Sequence, residues 1–306
     1  MYSPQSQSNI FDNAKDFFSR KSFLPRLILI NIGVFVLVYF VNLFVWLFQI
    51  NTEGAGTLSP LVKILAVPSA IDQLLTKPWT LISYMFLHEG FFHLLFNMII
   101  LYFGGSIFLQ YLSQRKLLST YIIGGLTGAL FYIAAYNIFP VFNQANINAV
   151  ALGASASVLA IMVAIATFVP QYTVNLVLIG RVRLKYLAIA FIVIDIFSII
   201  GNNPGGHIAH LGGAFWGFAY IYLIKHNIDV YQVFNSFYRP KIKVSHRKKK
   251  GFAKPDGRPL TDDEFNKIKL SKQAEIDKIL DKIARSGYSS LTAKEKEILF
   301  RMSNKQ

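Results

Sequence analysis

Gly153-Ala154-Ser155-Ala156-Ser157-Val158-Leu159-Ala160-Ile161-Met162-Val163-Ala164-Ile165-Ala166-Thr167-Phe168-Val169 is the stretch on which the fold turns. With Ala149–Leu152 before it, this run carries no charge and is long enough to cross a bilayer as a helix. It opens on small residues and a serine. A later apolar stretch opens in a similar way, on His207-Ile208-Ala209-His210-Leu211-Gly212-Gly213. A hydroxyl and an imidazole at membrane depth are costly, and residues of this kind in spans usually carry function.

The rest of the composition fits a membrane chain. Of 306 residues, 53% are hydrophobic and only 15% are charged, with 27 phenylalanines arranged in blocks rather than amphipathic periods. Cysteine is absent, which excludes disulfides, thiolate metal sites and a cysteine nucleophile. The net charge of +15 would suit nucleic acid, but the cations gather at the ends of apolar blocks and in the C-terminal tail. A membrane surface explains that distribution more simply, and no nucleic-acid partner is expected.

Six spans are expected at Leu27–Leu47, Phe91–Leu112, Leu117–Tyr136, Ala149–Val169, Leu184–Ile200 and Ile208–Lys225. Only helices satisfy their own backbone in lipid, so the fold class is all-α: a polytopic six-helix bundle with a small helical tail. The first block lacks a small-x-small cleavage pattern and reads as a retained span. Before it, Phe11, Ala14, Phe17 and Phe18 with Lys15, Arg20 and Lys21 form either an interfacial helix or a disordered leader.

Cations set the orientation. Arg20, Lys21 and Arg26 precede the first span, Arg115 and Lys116 separate the second and third, and Arg181, Arg183 and Lys185 separate the fourth and fifth. Asn137–Asn148 and Gly201–Gly206 carry no charge. The positive-inside rule then puts both termini in the cytoplasm, with a bacterial plasma membrane as the expected setting. In this topology the second, fourth and sixth spans run inward. His93, Asn97, Ser155, His210 and Asp195 therefore meet at one depth below the outer face.

The domains expected are a leader over 1–26, the six-span domain over 27–225, a basic linker over 226–260 and a helical extension over 261–306. Lys241, Lys243, Arg247, Lys248, Lys249 and Lys250 form the basic run, suited to anionic lipid headgroups. Capping boxes pair Thr261 with Glu264 and Thr292 with Glu295, and Gly287 ends the helix between them. Two helices of that size bury too little to stand alone, so they are expected to dock, either on each other and the membrane or on a partner the sequence does not identify.

The chemistry centres on Ser155. In the first turn or two of its helix, free N–H groups and the helix dipole favour an oxyanion formed there. Gly213 and Gly217 on the sixth span let its backbone approach a neighbour closely. If that neighbour is the fourth span, His210 can take the serine proton. His93 and Asn97 share a helical face and suit an oxyanion hole, Asn97 being the nearer partner for the Ser155 backbone. Gly153, Asp195 and His207 are candidates for support; Asp195 is expected to be structural and His207 to anchor a loop. Small residues packing helices, and a buried histidine bonded to a carbonyl, are the plain alternatives. His88-Glu89-Gly90-Phe91-Phe92-His93 is one residue too long for a zincin signature, so neither metal nor cofactor is expected.

His93-x-x-x-Asn97, Gly153-x-Ser155 and Ala209-His210-Leu211-Gly212-Gly213, in this order over Leu27–Lys225, resemble the rhomboid family of intramembrane serine proteases. The resemblance implies a Ser–His dyad of Ser155 and His210, with His93 and Asn97 on the oxyanion. It implies single-span membrane proteins as substrates, cut in or near a transmembrane helix where small residues weaken it, with span five and Gly201–Gly206 as the moving gate. Ser286-Gly287-Tyr288-x-Ser290-Leu291-Thr292 resembles an extension on rhomboids of the Bacteroidetes type. Ala156 stands where the family usually has glycine, Leu159 where it often has an aromatic, and the first loop lacks its Trp-Arg pair. The rival readings are an inactive rhomboid-like protein that binds membrane clients and a small transporter. Retention of both serine and histidine argues against the first, and the absence of repeat symmetry argues against the second.

Overall fold

The apolar run at 149–169 does not fold as one helix. The computed structural model describes residues 10–19, 22–50, 60–143, 149–176, 180–228 and 230, and in the tail 275, 277–283, 285–292 and 294–297. In chain order the elements are α1 (Ile10–Ser19), α2 (Phe23–Leu47), α3 (Pro60–Leu65), β1 (Val67–Pro68), α4 (Ile71–Thr76), α5 (Thr80–Ser83), α6 (Phe91–Tyr111) and α7 (Gln114–Ile138). There follow β2 (Val150–Ala151), α8 (Ser155–Phe168), β3 (Thr173–Leu176), β4 (Gly180–Arg183), α9 (Leu184–Ser198) and α10 (Pro204–Lys225). The protein is an all-helical integral membrane protein. Of its helices, α2, α6 and α7 are long and apolar enough to cross a bilayer, and α8 is apolar but shorter.

Each expected span has its helix, with shifted ends. The sixth starts at Pro204 rather than Ile208, because the Asn203 side chain caps it by accepting from the Gly206 N–H at 3.0 Å and proline suits the first turn. The third starts at Gln114, capped by Ser113, so Arg115 and Lys116 lie inside its first turn. The fourth loses its first six residues. Val150 and Ala151 pair antiparallel with Pro68 and Val67, and the Gly153 N–H donates to the Tyr84 carbonyl at 2.9 Å. These bonds satisfy an extended backbone that lipid could not, inside protein where irregular structure is tolerated. Gly153, at φ +127°, turns this strand into the helix.

The helix that results is the axis of the bundle. Every residue from Ala156 to Ala166 is buried, which explains why α8 is apolar on all sides. α6, α7, α9 and α10 pack around it. α10 comes closest: a Cβ on Gly213 would run into the Ala156 carbonyl, and one on Gly217 into the Ala160 carbonyl. The close-approach motif expected of the sixth span is therefore directed at the fourth.

Polar contacts tie the segment before α6 to the bundle. The Tyr121 hydroxyl donates to the Met85 carbonyl at 3.0 Å, and the Tyr84 hydroxyl to the Gly125 carbonyl. Asn31 Nδ2 donates to the Leu27 carbonyl at 2.8 Å and reaches the Tyr121 hydroxyl at 3.2 Å. Near the N-terminus, α1 is the helical alternative of the two expected, and Phe17 meets Tyr102 edge-on at 5.1 Å. The chain between α8 and α9 holds the β3–β4 hairpin, with Val174 buried.

Arg239–Gln306 forms a separate unit. There the Thr292 N–H donates to Glu295 Oε2 at 2.7 Å and the Glu295 N–H to Thr292 Oγ1 at 3.4 Å, the reciprocal bonds of a capping box. The Thr292 N–H, followed by Lys282, holds the Glu295 carboxyl down to about 2. Gly287, at φ +76°, closes the preceding helix through its N–H to the Ile283 carbonyl at 2.8 Å. The Thr261–Glu264 box and the basic run Lys241–Lys250 lie outside the described residues.

Gly213→Ala forces a methyl against the α8 backbone, which cannot give way like a side chain. The expected loss is about 1–3 kcal/mol, read as a lower unfolding midpoint in detergent. Gly33→Ala, where nothing lies within 4 Å of the added carbon, should leave the midpoint unchanged or raised.

Candidate active site

Starting α8 at Ser155 puts the serine hydroxyl at the first helical position, beside N–H groups that have no helical acceptor. Starting α10 at Pro204 puts His207 and His210 in its first two turns, one turn apart on one face. The close contact at Gly213 brings the two helix starts together. His210 Nε2 lies 2.6 Å from Ser155 Oγ. The second serine of the motif, Ser157, is fully buried, and its hydroxyl has no hydrogen-bond partner among the described residues. Ser155 alone of the two meets an imidazole.

The other imidazole nitrogen of His210 is also engaged. Nδ1 lies 2.7 Å from Oδ1 of Asp195, three residues before the end of α9. The same oxygen lies 2.8 Å from His207 Nδ1. His207 is thus not the more exposed of the two, since both side chains are 25% exposed. These three groups are also the described cluster whose donor atoms, all within 4.8 Å, come near to a metal site. Ligands around tetrahedral zinc stand roughly 3.3 Å apart, given Zn–N bonds of about 2.0–2.1 Å. Two nitrogens at 2.7 and 2.8 Å from one oxygen are the geometry of hydrogen bonds instead.

Across the cavity, His93 and Asn97 come from the first two turns of α6. A Cβ on Gly153 would lie 3.1 Å from His93 Nε2 and 3.5 Å from Ser155 Oγ, so glycine keeps both within reach of one point. Asn97 Nδ2 donates to the His93 carbonyl at 2.9 Å. The carboxamide keeps a second N–H for a developing charge. A cavity of about 280 Å³ joins these groups, lined also by Leu159, Phe191 and Ile194. Its walls are otherwise apolar, which keeps the dielectric low around any charge formed there.

The zincin-like spacing of His88 and His93 is one residue too long for two ligands on one helical face. The helix begins only at Phe91, and His88, in the segment before it, folds back so that the two rings meet edge-on at 5.1 Å. His88 is buried. Burial, with His93 adding to it, pushes its pKa down to about 4. Gly90, one residue before Phe91, was the available signal that helical phase does not extend back to position 88.

Residues 75–227 match the rhomboid domain, and residues 261–305 match a family of unknown function (DUF6576). Two curated proteins are similar to the chain. Presenilin-associated rhomboid-like protein A, mitochondrial, from Danio rerio is 27% identical over 143 residues, covering 44% of this chain and 35% of that protein. RHOMBOID-like protein 12, mitochondrial, from Arabidopsis thaliana is 33% identical over 144 residues, covering 44% of this chain and 43% of that protein. The chain thus spans well under half the length of these relatives.

His88 generates a pH dependence. An unfolded histidine takes up its proton near pH 6.5, whereas this one resists until about 4. Over that window the unfolded state binds more protons, so stability falls as pH drops from about 6.5 to 4. In His88→Gln the unfolding midpoint should vary less with pH over the same range.

Proposed function

The chain belongs to the rhomboid family, and on that footing we propose that it is an intramembrane serine endopeptidase. The observation that carries this reading is the 2.6 Å contact between Ser155 Oγ and His210 Nε2 inside an apolar bundle. In the proposed reaction His210 takes the Ser155 proton as the oxygen attacks a peptide carbonyl. The new oxyanion meets the free N–H groups at the start of α8, the second N–H of Asn97 and His93. His210 then returns the proton to the leaving amine, and the process repeats with water to release the acyl group.

Single-span membrane proteins are the proposed substrates. A helix in lipid has every backbone group paired, so its carbonyls are not open to attack until it unwinds locally. The cavity walls on α6 and α9 supply Phe96, Phe191 and Ile194 to receive such a segment. Cations at the short loops support an arrangement with both termini cytoplasmic and the site nearer the outer face. A bacterial plasma membrane is the proposed setting, with the tail's cations against anionic headgroups.

Purified protein should react with a fluorescent fluorophosphonate, which modifies activated serines. Ser155→Ala and His210→Ala should each abolish labelling, and His93→Ala and Asn97→Ala should slow it by roughly 10–10³-fold. Absence of labelling in folded wild-type protein would overturn the protease reading and favour a client-binding role.

A further inference from the structure

Asp195 is the feature that a Ser–His pair does not need. Along α9 only Leu184, Ala188 and Asp195 are buried. The neighbours of Asp195 in sequence are exposed: Ile194 is 58% exposed, Ile196 51% and Phe197 81%. The one buried side chain on that half of the helix is thus a carboxylate. Its Oδ1 accepts from two imidazoles on α10, at 2.7 Å from His210 and 2.8 Å from His207.

The chemistry of that contact is directional. An ionised carboxylate only accepts, so each Nδ1 facing it must hold a proton. A neutral histidine protonated at Nδ1 has its lone pair on Nε2, the nitrogen 2.6 Å from Ser155 Oγ. The contact therefore selects the form of His210 able to remove the serine proton. The opposite tautomer would present an N–H to Ser155 and leave two donorless atoms facing each other at 2.7 Å. No other described group does this. Leu159, on the cavity wall, is aliphatic and has no polar atom to offer, and His210 has Ser155 and Asp195 as its polar partners.

We propose that Asp195 is a positioning residue that turns the pair into a Ser155–His210–Asp195 triad, with His207 holding the carboxylate in place. The proposal rests on the protease reading. Asp195 fixes the Nδ1–H tautomer of His210 at rest and stabilises the imidazolium that forms when Ser155 loses its proton. His207 occupies the same oxygen from one turn away, so the carboxylate cannot rotate off its partner without breaking two bonds. Because Asp195 sits on α9 and both histidines on α10, the general base is aligned only while these two helices are together.

The test is Asp195→Asn, which keeps size and removes charge. Its carboxamide can turn its NH₂ toward His210 Nδ1, so the variant should favour the Nε2–H form. We expect the maximal rate of fluorophosphonate labelling to fall by roughly 10²–10⁴-fold, with the concentration giving half-maximal rate unchanged. The ¹⁵N shifts of labelled imidazoles, assigned with His210→Gln, should show Nδ1–H in wild type and Nε2–H in the variant. Full labelling rate in Asp195→Asn with an unchanged His210 tautomer would reduce Asp195 to a packing role. An Nε2–H wild-type His210 would overturn the proposal even if the variant fails to fold. Neither result depends on a substrate, and the tautomer is read without activity. Loss of the protease reading, seen as an unreactive wild type, is therefore distinguishable from loss of this one.

Discussion

Inside a bilayer a backbone N–H or C=O without a partner costs several kcal/mol, and the start of α8 is built around that constraint. To bring a serine below the surface, the chain must descend in some conformation before its helix begins. It descends as β2, whose polar groups are met by β1 and by the Tyr84 carbonyl. The remaining α8 is 14 residues long, about 21 Å at 1.5 Å per residue, against a hydrocarbon core of about 30 Å. Tyr84, Tyr121 and Asn31, which pin the segment carrying that carbonyl, work for the same end.

Much of this was legible in the sequence, and the misses have identifiable causes. Apolar blocks located all six core helices, since hydropathy and length are the quantities a bilayer selects. Ends were lost where a local signal was overruled. The capping of the sixth helix needs only Asn203 and Pro204, both plainly visible, yet hydropathy alone pointed to Ile208. The six residues before Ser155 are a different case. Ala149-Val150-Ala151-Leu152 is as apolar as any helix, and only a partner strand from a distant loop makes it extended. No window over one segment contains that information.

The site divides in the same way. Ser155 and His210 could be matched because both lie near helix starts, where depth follows from counting residues. The direction of Asn97 could not be counted: its amide turns back to the His93 carbonyl, a choice between rotamers rather than between positions. His88 lies before Gly90 and outside the helix, so its ring contact with His93 could not be read from helical phase. Asp195 was expected beside the histidines, but counting residues says nothing about which atom it faces. The shared Oδ1 contact with His207 and His210 is a matter of angles.

The pairing of β2 with β1 also has a bearing on how the protein is made. Membrane insertion reads the chain one segment at a time, and 149–169 is apolar enough over its whole length to be released into lipid as an ordinary span. Its strand partner, Val67–Pro68, is synthesised some eighty residues earlier and belongs to a loop rather than a span. The two can meet only after both have been synthesised, so the extended entry to the helix of Ser155 is settled by tertiary pairing rather than by the segment's own hydropathy.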